Sequence, residues 1–186
     1  EKYNVIVINV RSYKSDKIFY DKIYDSIKKN NFDLSSNIVN SLIHIGWGDT
    51  DNPWSDYHME DNVKNTKLLF KFAKESNIKK VIFCGSMNEY GDISGSLTEE
   101  SEPGLIETNY AKAKSIITNH GISFFDNTNT QFYSIRPSYV YGNVINKKSL
   151  INQLIQSYIN QTSINLSTCQ AFRDYIHVDD VAKLFL

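Results

Sequence analysis

Tyr110 and Lys114, in the stretch ETNYAKAKS, stand four residues apart, so on a helix they share one face. A phenol beside an ammonium is a proton donor of adjustable acidity. A free phenol titrates near pH 10 in model peptides, roughly three units above neutrality. A cation one helical turn away favours the phenolate and lowers that value. Spacing alone does not single the pair out. The chain holds 12 tyrosines among 186 residues and is rich in lysine, and such a composition supplies about one Tyr-x-x-x-Lys match by chance. The sequence carries the pattern at Tyr13/Lys17, Tyr24/Lys28 and Tyr110/Lys114. Context separates them. Only Tyr110 follows a strand-like run ending in a small hydroxyl residue, VIFCGSMNEYG, where Ser86 stands at the carboxyl end. Only Tyr110 is followed by a strand ending in IRPSYVYG, which opens at the same edge. Open parallel sheets bind ligands outside the carboxyl ends of their strands. The trio suits carbonyl reduction or alcohol oxidation. Ser86 can donate a hydrogen bond to an oxygen gaining negative charge, and Tyr110 can supply the proton. Hydride needs a cofactor, since no side chain carries it.

The elements that must position these groups can be read from hydrophobic periodicity. YNVIVINV (3–10) is a continuous β-branched run, as expected of a strand buried on both faces. Helical spacing follows over 16–30, and NSLIHIG (40–46) is a second strand. Residues 59–76 form the clearest helix: Lys64, Lys67, Lys71 and Lys74 make one solvated stripe opposite Val63, Thr66, Leu69, Phe70 and Ala73. KVIFCGS (80–86) is a third buried strand, broken at Gly85. A polar loop (87–106), a helix over 107–120 and a strand QFYSIR (131–136) that stops at Pro137 come next. A helix at 149–160, a short strand at 163–166, a strand DYIHV (174–178) and a helix at 179–186 complete the chain. Strands alternating with helices imply right-handed βαβ crossovers. The expected fold is α/β, a Rossmann-like doubly wound parallel sheet with part of a small C-terminal substrate-binding lobe. Residues 1–142 are assigned to the dinucleotide-binding domain. Residues 143–186 are mixed: the start of the substrate lobe plus a returning strand and helix.

Bulk properties narrow the classes of function. Lys plus Arg number 20 and Asp plus Glu 21, for a formal charge of −1. That balance argues against nucleic acid as the main partner. No apolar run approaches the roughly 20 residues that span a bilayer, and no signal-peptide pattern opens the chain. Two cysteines, Cys84 and Cys169, make no disulfide framework, so a reducing cytoplasm is the expected location. His44, His58, His120 and His177 lack metal-ligand spacing, and no metal is expected. His44 and His177 alternate with apolar residues and are read as packed in strands. The loop WGDTDNPWSDYH (47–58) is read equally as a pocket wall or as a cap on the sheet.

The ordered motifs SLIHIGWG, DNVKNT, GSMNEYG, NYAKAK, IRPSYVYG and FRDYIHVDDVA resemble those of the extended short-chain dehydrogenase/reductase family, the nucleotide-sugar epimerases, dehydratases and reductases. The resemblance implies a catalytic triad of Ser86, Tyr110 and Lys114, with Lys114 also on the nicotinamide ribose. It places Gly46 and Pro137 beside the cofactor, Met87 and Asn88 beside the substrate, and Arg173 on the diphosphate of a sugar nucleotide. A guanidinium suits that last task because it pairs bidentately with phosphate oxygens. The alternative for Arg173 is a salt bridge to Asp174 or Asp179. A homodimer is the assembly the resemblance implies.

Departures from the family pattern carry information. The glycine-rich loop that wraps a cofactor pyrophosphate is absent from the sequence. The first run, YNVIVINV, best matches the family's second strand. A preceding strand–loop–helix of roughly 30 residues is therefore expected to lie outside this sequence, and cofactor affinity without it is expected to be poor. The end in VAKLFL likewise reads as an internal stop. After YNVIVINV, Asn9 stands where NAD-specific relatives carry an acid, with Arg11 and Lys14 just beyond. Basic groups there favour a 2′-phosphate, so NADP is expected, with NAD the alternative. Relatives that eliminate water carry an acid within two residues of the Ser/Thr, but here Met87 and Asn88 fill those places, and Glu89 comes one later. Dehydration is therefore not expected. The remaining readings are reduction of a 4-keto-6-deoxysugar nucleotide, which GSMNEYGDISGSLTEE most resembles, and 4-epimerisation. A non-catalytic nucleotide-sugar or dinucleotide sensor is the alternative of another class.

Overall fold

The computed structural model describes residues 39–142 and 149–186. The expected strand at 3–10 and helix at 16–30, with Asn9, Arg11 and Lys14, lie outside the described residues. Two compact units meet in sequence between Arg136 and Pro137, whereas the sequence reading drew its boundary after residue 142.

In the first unit, β1 (Ser41–His44), β2 (Lys80–Cys84) and β3 (Gln131–Ile135) pair in that order. Both pairings are parallel, with Ile43 opposite Ile82 and Ile82 opposite Tyr133. The expected crossovers are present. Helix α1 (Val63–Glu75) joins β1 to β2, and α2 (Asn109–Phe125) joins β2 to β3. α1 is entered through a single wide π-type turn, His58–Asn62. Thr66, Phe70, Phe72 and Ala73 are buried on it, and Lys64, Lys67, Lys71 and Lys74 are exposed as the lysine stripe requires. Phe70, Val81, Phe83 and Ile117 have no exposed surface and centre the core. Burying each such side chain contributes roughly 1.5–3 kcal/mol.

α2 runs five residues beyond the expected end at 120. Ile117, Gly121 and Phe125 keep the same face buried, and that repeat sustains the helix after the polar residues Asn119 and His120. Gly121 is there because the sheet comes close. A Cβ at this position would overlap the Phe132 ring, which itself packs between Phe70 and Phe125 at centroid distances of 5.3 and 5.7 Å. Gly121→Ala is expected to destabilise the chain by about 1–3 kcal/mol through overpacking, despite alanine's better helix propensity. Urea unfolding checks this, and an unchanged midpoint would refute it.

The second unit contains β4 (Tyr139–Tyr141), α3 (Leu150–Asn160), β5 (Tyr175–His177) and α4 (Val178–Leu184). β4 and β5 pair in parallel. β4 was not foreseen, and the strand expected at 163–166 is absent; that stretch is irregular. His177 does lie in a strand, with its ring 5.2 Å from Tyr141. Its Nδ1 also accepts the Asp179 N–H at 3.2 Å and so caps α4.

Candidate active site

β2 ends at Cys84 on the carboxyl edge of the sheet, and Gly85 and Ser86 follow it. Ser86 has extended backbone (φ −159°, ψ 144°) and caps the four-residue 3₁₀ turn Met87–Tyr90. Its hydroxyl oxygen accepts the Asn88 N–H at 3.2 Å. A hydroxyl keeps one donor hydrogen beyond that, so Ser86 retains an O–H to give. It is 7% exposed.

Tyr110 and Lys114 sit in the first two turns of α2, which Thr108 caps by accepting the Ala111 N–H at 3.2 Å. The helix start is clipped to the 47–58 loop. Tyr110 N–H donates to the Pro53 carbonyl at 2.9 Å, and Asn109 Nδ2 donates to the Trp54 carbonyl at 2.9 Å. The Tyr110 ring lies edge-on to His58 at 5.4 Å and to Trp47 at 6.3 Å. The loop is thus a wall of the site through Trp47, while its other tryptophan, Trp54, is 59% exposed.

Lys114 is buried, at 3% exposure. Its Nζ donates to the Cys84 carbonyl at 2.6 Å and stands over the Trp47 ring at 3.8 Å and the Phe83 ring at 4.8 Å. An aromatic face can stabilise a desolvated ammonium by about 2 kcal/mol. Burial nevertheless lowers the Lys114 pKa to about 8, with the charges of Cys84 and Glu89 pulling the other way.

The structure corrects the expected acidity of Tyr110. Burial pushes its pKa up; interaction with the Ser86 hydroxyl opposes this, and the nearby Cys84 and Glu89 push it further up. The ammonium that was to lower it is 5.7 Å from the ring centroid and donates a hydrogen bond to the Cys84 carbonyl. Tyr110 is therefore a phenol that keeps its proton at pH 7.

Sequence reasoning passed over Trp47 and His58 as site residues. His58 is wholly buried. Its Nδ1 accepts from Trp47 Nε1 and from Asn62 Nδ2, each at 3.1 Å, which leaves Nε2–H to donate to the Asn52 carbonyl at 3.0 Å. Asn62 also brackets Gly48, donating to its carbonyl and accepting its N–H, each at 3.0 Å. This network fixes the indole over Lys114. The one available signal was position, since Trp47 follows a strand end directly. His44 packs as expected, 5.6 Å from Phe83 with Nε2 2.9 Å from the Thr66 hydroxyl. Burial, with the Lys114 charge second, drives its pKa down to about 3.

Among the other expected residues, Gly46 follows the end of β1, and no described residue beyond its chain neighbours lies within 4 Å of the place a Cβ would take. Met87 and Asn88 lie on the turn after Ser86. Pro137 and Arg173 belong to the second unit. Arg173 Nη1 donates to the Tyr139 hydroxyl at 2.7 Å, with the guanidinium 5.1 Å from that ring; Tyr139 is thus a partner that the sequence reading, which named Asp174 and Asp179, did not name. Cys84 and Cys169 are free thiols. No cluster of three metal-ligating side chains occurs among the described residues, and no helix there is long and apolar enough to cross a membrane.

A hydroxyl, a phenol and an ammonium are gathered at one strand edge of the parallel sheet. The sequence profile of the NAD dependent epimerase/dehydratase family matches residues 1–186. The chain belongs to that family. No curated protein matches it by sequence. Among solved structures, the fold is similar to the UDP-N-acetylglucosamine 4-epimerase of Methanobrevibacter ruminantium M1 in complex with UDP-N-acetylmuramic acid. That likeness has a TM-score of 0.68 at 22% identity, covering 89% of this chain and 59% of the other. It is also similar to the UDP-glucose 4-epimerase of Thermotoga maritima with UDP-glucose, with TM-score 0.70, 16% identity and coverage of 94% and 56%. A third likeness is to the dTDP-glucose 4,6-dehydratase of Bacillus anthracis str. Ames in complex with NAD, with TM-score 0.69, 17% identity and coverage of 88% and 49%. The chain thus spans between about half and three-fifths of the length of these epimerase/dehydratase-family structures.

Proposed function

We propose that this chain carries the catalytic edge of an NAD(P)-dependent oxidoreductase that reduces the 4-keto group of a nucleotide-activated 6-deoxysugar. The observation that carries the reading is the grouping of buried Ser86 and Lys114 with half-buried Tyr110, a phenol that keeps its proton. A nicotinamide cofactor, when bound, supplies the hydride. Ser86 donates its O–H to the carbonyl oxygen as negative charge builds, and Tyr110 Oη passes its proton to that oxygen. Lys114, Tyr110 and Gly46 are the residues of the first unit proposed to hold the cofactor; for Pro137 and Arg173, in the second unit, the proposed roles on cofactor and diphosphate rest on family resemblance alone. NADP is proposed over NAD on the strength of Arg11 and Lys14, and a homodimer on family resemblance.

Elimination of water is disfavoured by local chemistry. Met87 and Asn88 offer no acid, and both Glu89 carboxylate oxygens accept protein hydrogen bonds. 4-Epimerisation remains the second reading, supported by the likeness to two 4-epimerase folds. The test uses the full-length protein, a panel of nucleotide-linked 4-keto-6-deoxysugars and both reduced nicotinamides. The reading expects net cofactor oxidation with a keto-sugar. Purified protein carrying bound NAD(H), with redox-neutral interconversion of 4-epimers, would replace it with the epimerase reading.

A further inference from the structure

The Glu89 carboxylate touches no reacting atom in the proposed reaction, yet it is 4% exposed and both its oxygens accept protein hydrogen bonds. Oε1 accepts the Ser86 N–H at 2.8 Å and Oε2 accepts Arg136 Nε–H at 3.1 Å. Arg136 is held in turn, its Nη1 donating to the Tyr90 hydroxyl at 3.0 Å and the Glu99 carbonyl at 3.1 Å. The guanidinium also lies 4.9 Å from the Tyr90 ring. Gly85 admits the carboxylate, since a Cβ at that position would overlap Oε1.

The turn that Ser86 caps is only four residues long, so its own backbone bonds are few. The Ser86 hydroxyl oxygen is met by the Asn88 N–H, and the Ser86 backbone that carries it is held through its amide by a carboxylate that a second strand end secures. We propose that Glu89, clamped by Arg136, is the positioning residue for Ser86, tying the ends of β2 and β3 together so that the hydroxyl faces Tyr110. This rests on the reading of Ser86 as the carbonyl-oxygen donor. Glu89 acts through Ser86 and touches no substrate. A misplacement of about 1 Å at a reacting group can cost roughly 10²-fold in rate, and loss of an interaction of this kind appears in kcat more than in KM.

The test uses full-length wild type, Glu89→Ala, Arg136→Met and the double variant Glu89→Gln/Arg136→Met. It measures kcat and KM for the keto-sugar, hydrogen exchange of the Ser86 amide by NMR, and unfolding midpoints. Glu89→Ala is expected to lower kcat about 10²-fold with KM within about twofold, and to speed Ser86 amide exchange at least about tenfold. The double variant is expected to recover part of both, because the glutamine oxygen can accept the Ser86 N–H once no cation faces its amide. If Glu89→Ala does not fold, Arg136→Met and the double variant make the same comparison. Unchanged Ser86 exchange, or kcat losses that merely follow the unfolding midpoints across the series, would overturn the proposal. Absence of keto-sugar turnover by wild type would instead defeat the functional reading, while Ser86 exchange would still report on the clamp.

Discussion

Replacing Tyr110 with phenylalanine is expected to cut keto-sugar turnover by about 10²–10⁴-fold, the usual contribution of a positioned general acid. KM is expected to change little. The ring's contacts with His58 and Trp47 and the Tyr110 N–H bond to Pro53 do not involve the hydroxyl, so the fold is expected to survive. Only the interaction with Ser86 is lost. The effect is expected to be large because phenylalanine has no proton to give a developing alkoxide; burial raises the Tyr110 pKa, which keeps the proton on the phenol through the neutral range without strengthening it as an acid. Nicotinamide absorbance during steady-state reduction is the measurement, with circular dichroism as the control for folding. Turnover within about threefold of wild type would remove Tyr110 from the reaction.

The second large effect concerns stability against pH. Lys114 has a pKa lowered to about 8 from an ordinary 10.5, chiefly by burial. Below pH 8 both the folded and the unfolded chain carry this proton, and the folded state bears the full cost of a buried charge. Between pH 8 and 10.5 the unfolded chain holds the proton and the folded chain has released it. Stability from this group therefore rises with pH across that window and is flat on either side. The full gap is worth roughly 3 kcal/mol. Lys114→Met should abolish the rise. Wild type should gain about 2 kcal/mol on the variant between pH 7.5 and 9.5, measured by denaturant unfolding. Tyr110 acts with the opposite sign, because its pKa is raised above 10, so the comparison belongs below pH 10. A wild-type-minus-variant difference that stays constant with pH would show that Lys114 is not a desolvated ammonium. Keto-sugar turnover by Lys114→Met is expected to fall as well.

Much of the frame was legible in the chain. The β-branched run before Ser86, the lysine stripe of 64, 67, 71 and 74, and the turn at Gly85 each have a local cause, and each element lies where periodicity placed it. The misses also have causes. β4 has three residues, all exposed, and it exists because β5 pairs with it. The stretch 163–166 has strand-like alternation but no strand pairs with it among the described residues. α2 outlasts its expected end because Gly121 can slide under Phe132 and Phe125 can reach the core. Glu89 was visible as an acid one place late, yet its direction depends on Arg136, 47 positions away.

By itself the sequence determined the order of β1, α1, β2, α2 and β3, their parallel crossovers, and the expectation that Ser86 and Tyr110 meet at one strand edge. Those follow from periodicity and from the rule that strand ends of a parallel sheet share an edge. Tertiary structure alone decided the protonation behaviour of the site. Whether an ammonium acidifies a phenol depends on how deeply each is buried and on what else the ammonium binds. Here burial of Tyr110, the Cys84 carbonyl and the face of Trp47 reverse the result that spacing predicts, because desolvation is a property of the packed volume around a group and not of its neighbours along the chain.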